Sequence, residues 1–325
     1  MRGPLVEKQT VRGLQDKDNV DSLFLVKEKN VSVGKNGRPF MSLVLGDQTG
    51  AIDARLWDRV EELTREFDGG DVIRVKGQVQ IFQNRKQVIV HRIEKTDPTT
   101  VKIEDFLPVS GKNTQDMFTE LLVVVRSMKN DHLRQLTLDV IEDPEIKPMF
   151  MAAPAAKTIH HAWKGGLLEH VLSICKILDF LSGHYAHLNR DLMIFGGIFH
   201  DIGKIWELSY EGPLGYTDKG RLLGHMLLAC ELVDKKASRI LGFNEDLKDM
   251  CKHIILSHHG KLEYGSPKRP KFMEAVLVAM VDDLDSKMNT IQTFIESERN
   301  VGDKWSRYSE LFDRYFLLDD LKERF

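Results

Sequence analysis

Seven side chains in the second half of the chain, His170, His200, Asp201, His225, His258, His259 and Asp282, are nitrogen and oxygen donors of the kinds that hold divalent metals. Imidazole and carboxylate together suit manganese, iron, zinc and related ions, and a carboxylate can bridge two ions where an imidazole cannot. The adjacent His200-Asp201 pair stands at the centre of the set, with Asp201 as the natural bridge. The chemistry that such a set points to is hydrolysis assisted by two metal ions.

The segments that carry these residues have helical apolar periodicity and few turn signals. Around His170 the run Leu167-Leu168-Glu169-His170-Val171-Leu172 is apolar nearly all round, as in a buried helix. Met193 to Phe199 leads an equally apolar run into His200 and Asp201, where an unpaired charge would cost several kcal/mol. A lone histidine in such a place is more often a satisfied core residue than a ligand. The set is harder to explain that way, and a cation compensates all of it at once.

With these residues in view, the chain resembles the HD-domain metal-dependent phosphohydrolases, whose signature is a histidine, a His-Asp doublet, further histidines and a late aspartate on a helical bundle. The strings His160-His161-Ala162-Trp163-Lys164-Gly165-Gly166-Leu167-Leu168-Glu169-His170, Phe199-His200-Asp201-Ile202-Gly203-Lys204, Ile255-Leu256-Ser257-His258-His259-Gly260 and Val281-Asp282-Asp283-Leu284-Asp285-Ser286-Lys287-Met288 resemble the YhaM-type 3'-to-5' exoribonucleases more closely. That likeness covers nearly the whole chain, because the family also carries an N-terminal OB domain.

The resemblance implies that His170, His200, Asp201 and Asp282 hold one ion and Asp201, His225, His258 and His259 the other. The ions would polarise a phosphodiester oxygen and acidify a shared water. Manganese is the metal the family implies, with Fe, Co, Mg and Zn permitted by the same donors. Lys204 is expected to contact phosphate or the transition state, against the plainer reading of a solvated lysine at a helix end. His161 matches a family position ahead of the first ligand and takes a substrate or orienting role. His160, Trp163, Asp283 and Asp285 rank below it, the carboxylates either orienting imidazoles or lying on the surface. Asp282 is preferred to Asp283 because the family's late aspartate directly follows the apolar run.

The first hundred residues alternate with period two. Val20 to Val33, Phe40 to Leu45, Ala51 to Trp57, Val72 to Phe82 and Gln87 to Ile93 are expected strands, with a helix over Arg59 to Phe67, which is the order of an OB fold. On the fourth strand Ile73, Val75, Val79 and Ile81 should face the core. OB domains bind single strands through strands two and three and the loops after strands one and four. Lys35, Arg38, Phe40, Arg55, Arg74, Phe82, Arg85 and Lys86 are the expected contacts, the aromatics stacking on bases and the cations meeting phosphates. Trp57 is also near enough to stack on a base, but as the end of a strand it reads rather as core or hairpin support. Gly46-Asp47-Gln48-Thr49-Gly50 reads as a turn with a glycine at positive φ.

The fold class expected is therefore multidomain: an all-β OB-fold barrel over 1–97, a linker over 98–113 and an all-α HD-domain bundle over 114–325. Charge fits this division: 17 Lys and Arg against 15 Asp and Glu through Asp97, then 29 against 34. A net charge of -3 argues against a sequence-independent coat for nucleic acid and for local basic loops. Cys175, Cys230 and Cys251 lack CxxC spacing and read as reduced core residues. Neither a secretory leader nor a run of membrane-spanning length is evident, so a cytoplasmic, non-membrane protein is expected. The tail Trp305 to Phe316 has the apolar spacing of a helix docked on the bundle or of a subunit contact in a homo-oligomer. Together these readings give a nuclease that removes nucleotides from the 3' end of single-stranded RNA, with single-stranded DNA as a second substrate. The alternatives are a phosphohydrolase of deoxynucleoside triphosphates, alarmones or cyclic nucleotides, and a non-catalytic nucleic-acid-binding protein.

Overall fold

The structure is a computed structural model, and it describes residues 9–34, 37–82, 85–97, 100–101, 106, 112–156, 163–209, 215–298 and 304–318, without the side chain of Ser297. Lys35, His160, His161 and most of the expected linker lie outside the described residues. The chain divides into two compact units, one drawn from Met1–Pro108 and Thr290–Phe325, the other from Val109–Tyr210 and Gly215–Asn289.

In the first unit β1 (Asn19–Val33), β2 (Pro39–Asp47), β3 (Gly50–Leu56), β4 (Val72–Phe82) and β5 (Arg85–Lys95) form a closed barrel in the order β1-β2-β3-β5-β4. Antiparallel pairs make most of it, and β3 closes on β5 in parallel with Ala54 opposite Val88. The alternation puts Phe24, Met41, Leu43, Ala54, Ile73, Val75, Val79 and Val88 inside. A short helix α1 (Val60–Leu63) sits between β3 and β4, and it is much briefer than the sequence suggests. Arg59 enters it at φ 56, and Phe67 reaches the core from irregular backbone. Ile81, expected inside, is half exposed because β4 runs past the end of the barrel core.

The turn between β2 and β3 has a different cause from the one expected. Neither Gly46 nor Gly50 has positive φ. Buried Asp47 instead makes the turn, its Oδ1 accepting from the Thr49 N–H at 2.7 Å, the Thr49 hydroxyl at 2.6 Å and the Gly50 N–H at 3.1 Å. Its Oδ2 accepts from Val11 N–H at 2.7 Å, which ties the segment before β1 to the barrel. This is the local hydrogen bonding that makes aspartate a turn former.

The second unit is helical: α2 (Thr114–Arg126), α3 (Asp131–Ile141), α4 (Ile146–Ala152), α5 (Gly166–His184), α6 (Arg190–Phe199), α7 (Lys204–Glu207), α8 (Asp218–Ala237), α9 (Glu245–Ser257) and α10 (Met273–Glu298), with the small pair β6 (Leu208–Ser209) and β7 (Gly215–Tyr216) after α7. The sequence marks the helix starts. Asn113, Asn130, Asn189, Thr217 and Asn244 each cap a helix by accepting from a backbone N–H inside the first turn. Helix α6 and the first half of α5 are buried nearly all round and form the centre of the core, with Phe195, Phe199, Leu168 and Val171 fully enclosed.

Residues expected in the helical domain after Asn289 group with the barrel instead. Glu298, at the end of α10, is only 5% exposed and pairs with Arg85 of β5, and its carboxylate also accepts from Arg307 N–H at 2.9 Å. The tail from Trp305 is not helical. It doubles back on itself, with bridges between Trp305 and Leu317 and between Ser309 and Arg314.

Candidate metal centre

His170 lies in the second turn of α5, whose apolar residues hold it at zero exposure. Helix α6 ends at Phe199, so His200 occupies its C-terminal cap and Asp201 leaves the helix pointing into the core. The backbone then passes so close to the next ligand that a Cβ on Gly203 would stand 2.0 Å from the carbonyl oxygen of His225. Only glycine permits that approach. Within α8, Gly224 breaks the helix with φ 73 and ψ 157, and His225 starts the helix afresh beside Asp201. His258 caps α9, His259 follows it, and Asp282 comes from the buried side of α10.

These elements bring all seven residues to one place. Asp201 Oδ2 is 3.5 Å from His200 Nε2 and 3.7 Å from His170 Nε2. Its other oxygen, Oδ1, is 3.6 Å from His225 Nε2 and 3.7 Å from His258 Nε2. Asp282 Oδ1 joins the first group at 3.2 Å from His170 Nε2 and 3.7 Å from His200 Nε2. His259 joins the second, with one donor atom each from His225, His258 and His259 within 4.8 Å of one another. An ion about 2.1 Å from each ligand needs donors roughly 3 to 3.5 Å apart, close to these spacings. The carboxylate of Asp201 thus presents one oxygen to each of two donor clusters.

Each histidine is held by the opposite side of its ring. His170 Nδ1 donates to Asp285 at 2.8 Å, and Asp285 also accepts from the Ser173 hydroxyl. His200 Nδ1 donates to the carbonyls of Gly196 and Gly197 at 3.2 and 3.0 Å. His225 Nδ1 donates to Glu207 at 3.0 Å, His258 Nδ1 to the Ile255 carbonyl at 2.7 Å and His259 Nδ1 to the Tyr264 carbonyl at 2.8 Å. With Nδ1 occupied as donor, every Nε2 faces the centre, which is how ligating imidazoles are oriented.

Asp201 Oδ1, His225 Nε2 and His258 Nε2 are buried with no hydrogen-bond partner among the described residues. Leaving such atoms unsatisfied costs about 1–3 kcal/mol each, and native interiors avoid it. These orphans are the donors of the second cluster, so the residues present fit a cation.

The electrostatics agree. Burial alone would raise the Asp201 carboxyl, but Lys204 and the surrounding imidazoles hold it well below the usual carboxylate range. Burial likewise works against Asp282, and His170 and His200 hold it down. Burial pushes the imidazoles of His258 and His259 below the ordinary value, so both are neutral, metal-ready rings at pH 7. His170 is the exception: despite its burial, Asp282 and Asp285 raise it to about 9.

Lys204 is not a solvated lysine. Its side chain is 13% exposed and its ammonium sits 2.6 Å from Asp201 Oδ2, charged because Asp201 outweighs the cost of burial. Asp283 is exposed and pairs with Lys287 at 2.7 Å, so Asp282 is the one that faces the histidines. Trp163 donates to Glu169 at 2.9 Å. Sequence reasoning missed Glu207 and Ser173. Glu207 had a faint signal, a carboxylate between Ile205 and Leu208 in an apolar stretch.

The expected nucleic-acid contacts of the barrel divide. Phe82 is exposed at the end of β4, Arg38 is exposed before β2, and Phe40 and Arg55 are half-buried on β2 and β3. Trp57, read as core or hairpin support, is half exposed just past β3. Arg74 donates to both oxygens of Asp21 at 2.6 and 3.1 Å, Arg85 pairs with Glu298, and Lys86 donates to the Leu14 carbonyl at 2.7 Å. These last three hold the unit together.

Two family models match the chain, an OB-fold nucleic acid binding domain over residues 25–96 and an HD domain over residues 167–287. Among curated proteins, the 3'-5' exoribonuclease YhaM of Geobacillus sp. (strain WCH70) is 33% identical over 300 residues, covering 92% of this chain and 91% of that protein. The proteins of the same name from Bacillus subtilis (strain 168) and Halalkalibacterium halodurans are 33% and 34% identical, each covered over 94% of its length. The stretches matched by the two models contain most of the barrel and every residue of the Asp201 centre. The chain belongs to the YhaM family.

Proposed function

We propose that this protein is a 3'-to-5' exoribonuclease that hydrolyses single-stranded RNA at a centre of two divalent ions. The observation that carries the reading is the division of Asp201, one oxygen facing His170 and His200 and the other facing His225 and His258. His170, His200, Asp201 and Asp282 would hold one ion, and Asp201, His225, His258 and His259 the other. When bound, the ions would supply Lewis acidity to a phosphodiester oxygen and to the attacking water.

The chain's own part is preorganisation. Five imidazoles fixed through Nδ1 keep their lone pairs aimed at fixed points, so little reorganisation accompanies the reaction. Lys204 places a buried positive charge beside Asp201, where it stabilises negative charge developing on the phosphoryl oxygens. The barrel holds the strand, with Phe40 and Phe82 stacking on bases and Arg38 and Arg55 meeting phosphates. Polarity from the 3' end follows the relatives' names. We assign manganese as the working metal, single-stranded DNA as a second substrate and the cytoplasm as the location. Among the described residues no helix is long and apolar enough to cross a membrane.

Single-stranded RNA and DNA of equal sequence, labelled at the 5' end and incubated with manganese, test this directly. The proposal predicts a descending ladder from RNA that disappears in Asp201→Ala. Intact strands beside metal-loaded protein would sink it and turn attention to small nucleotides.

A further inference from the structure

The tail that the sequence presents as a helix is instead an aromatic hairpin, and its aromatics separate into two sets. Phe316 packs against both Phe294 and Phe312 at centroid distances of 5.8 Å, and Arg307 lies over the Phe294 ring at 5.6 Å. These inner rings suffice to anchor the segment. Trp305, Tyr308 and Tyr315 point outward at 53%, 43% and 59% exposure, and Tyr308 meets Tyr315 edge to face at 5.2 Å. Large aromatics left outside a packed cluster mark interaction surfaces. Lys304, Arg307 and Arg314 are exposed among them, against Glu310 and Asp313, and Asp313 is engaged by the Tyr308 hydroxyl.

The hairpin is fastened to the barrel. Glu298 takes Arg85 from the tip of β5 on one side and Arg307 from the hairpin on the other. Arg85 lies within the stretch that matches a nucleic-acid-binding OB domain, and Phe82, its strand partner in β4, is 57% exposed. Exposed rings interleaved with arginines are the chemistry that receives unpaired bases and their backbone, since stacking tolerates any base and arginine adds cation–π attraction. We infer that the hairpin Trp305–Leu317 is a second stacking platform for single-stranded RNA, continuous with the β4–β5 end of the barrel through the Arg85–Glu298–Arg307 clamp. The choice of RNA as the occupant rests on the nuclease reading above.

The test measures binding of labelled oligoribonucleotides of about 4 and about 20 nucleotides, spanning the site sizes of single and extended OB surfaces, to the full-length protein in EDTA. Trp305→Ala combined with Tyr315→Ala is expected to weaken the longer strand about 10- to 100-fold, as losing one or two stacked bases does, and to leave the shorter unchanged. Trp305→Phe should bind like wild type, and Lys304→Glu, a surface change that cannot unfold the hairpin, should also weaken the longer strand. Unchanged binding of the longer strand by the double variant overturns the inference. So does a fall from oligomer to monomer in sedimentation velocity, which would make the hairpin a subunit contact. Hairpin-dependent binding by a wild-type protein that cleaves no RNA upholds the platform and removes only the nuclease reading.

Discussion

Glu207 accepts from His225 twice, from its backbone N–H at 3.0 Å and from its ring Nδ1 at 3.0 Å. The two bonds fix both where α8 restarts after Gly224 and which way the imidazole faces. Glu207→Ala should therefore weaken the second ion about 10- to 100-fold while the site at His170 and His200 keeps its own, and Glu207→Gln should recover part of the loss through its amide oxygen. Titration with manganese followed by electron paramagnetic resonance separates the two sites. Equal weakening of both would mean that Glu207 supports the fold and not His225.

Gly203 should tolerate no side chain. A methyl group there meets the His225 carbonyl at 2.0 Å, and backbone cannot swing aside as a side chain does. Gly203→Ala should cost roughly 3 kcal/mol, visible as a lower Tm, and should lose the second ion before the first. A variant of wild-type Tm and full metal content would contradict the close approach.

Metal binding should release a proton. In the metal-free protein Asp282 and Asp285 hold His170 protonated up to about 9, against an ordinary value of 6.5. That raised value stabilises the metal-free fold fully below pH 6.5, and the contribution is lost as pH rises through about 9. An ion must displace the same proton, so affinity at the His170 site should rise about tenfold per pH unit from pH 7 to 9 and then level. Calorimetry in buffers of different ionisation enthalpy reads the proton directly, and an enthalpy independent of buffer would refute it.

Lys204→Met should lower kcat about 100-fold with KM and metal content little changed, because a buried cation beside Asp201 would act on charge developing in the proposed phosphodiester hydrolysis. Should the variant instead bind metal poorly at unaltered kcat, Lys204 serves the ligand shell.

Arg85→Ala should lose stability, by about 1–3 kcal/mol, since it leaves the buried Glu298 carboxylate with Arg307 alone of the two cations that hold it. Arg38→Ala, on an exposed residue, should weaken RNA binding without changing Tm. The reverse pattern would restore Arg85 to the strand-binding surface.

Much of this was legible in the sequence because periodicity and ligand chemistry are local signals. The barrel strands follow from period-two alternation, and the seven donors stand out as metal-binding types in segments of helical apolar periodicity. Asp282 is preferred to Asp283 on the resemblance, because the family's late aspartate directly follows the apolar run; in the structure Asp283 pairs with Lys287 while Asp282 lies 3.2 Å from His170 Nε2. What escaped depends on contacts far apart in the chain. Glu207 matters only because the Gly224 kink brings His225 to it, and Arg74, Arg85 and Lys86 look free until Asp21, Glu298 and the Leu14 carbonyl are in place. The tail misled because its apolar spacing fits a helix, while the observed hairpin uses the same residues in bridges.

The central claim is that Asp201 joins two ions through its two oxygens. The most direct measurement is the manganese bound per chain after loading and gel filtration, wild type beside Asp201→Ala, His170→Ala and His258→Ala. The proposed centre predicts about two ions in wild type, about one in each histidine variant and none retained without Asp201. A single ion in wild type, or two retained in Asp201→Ala, would contradict it.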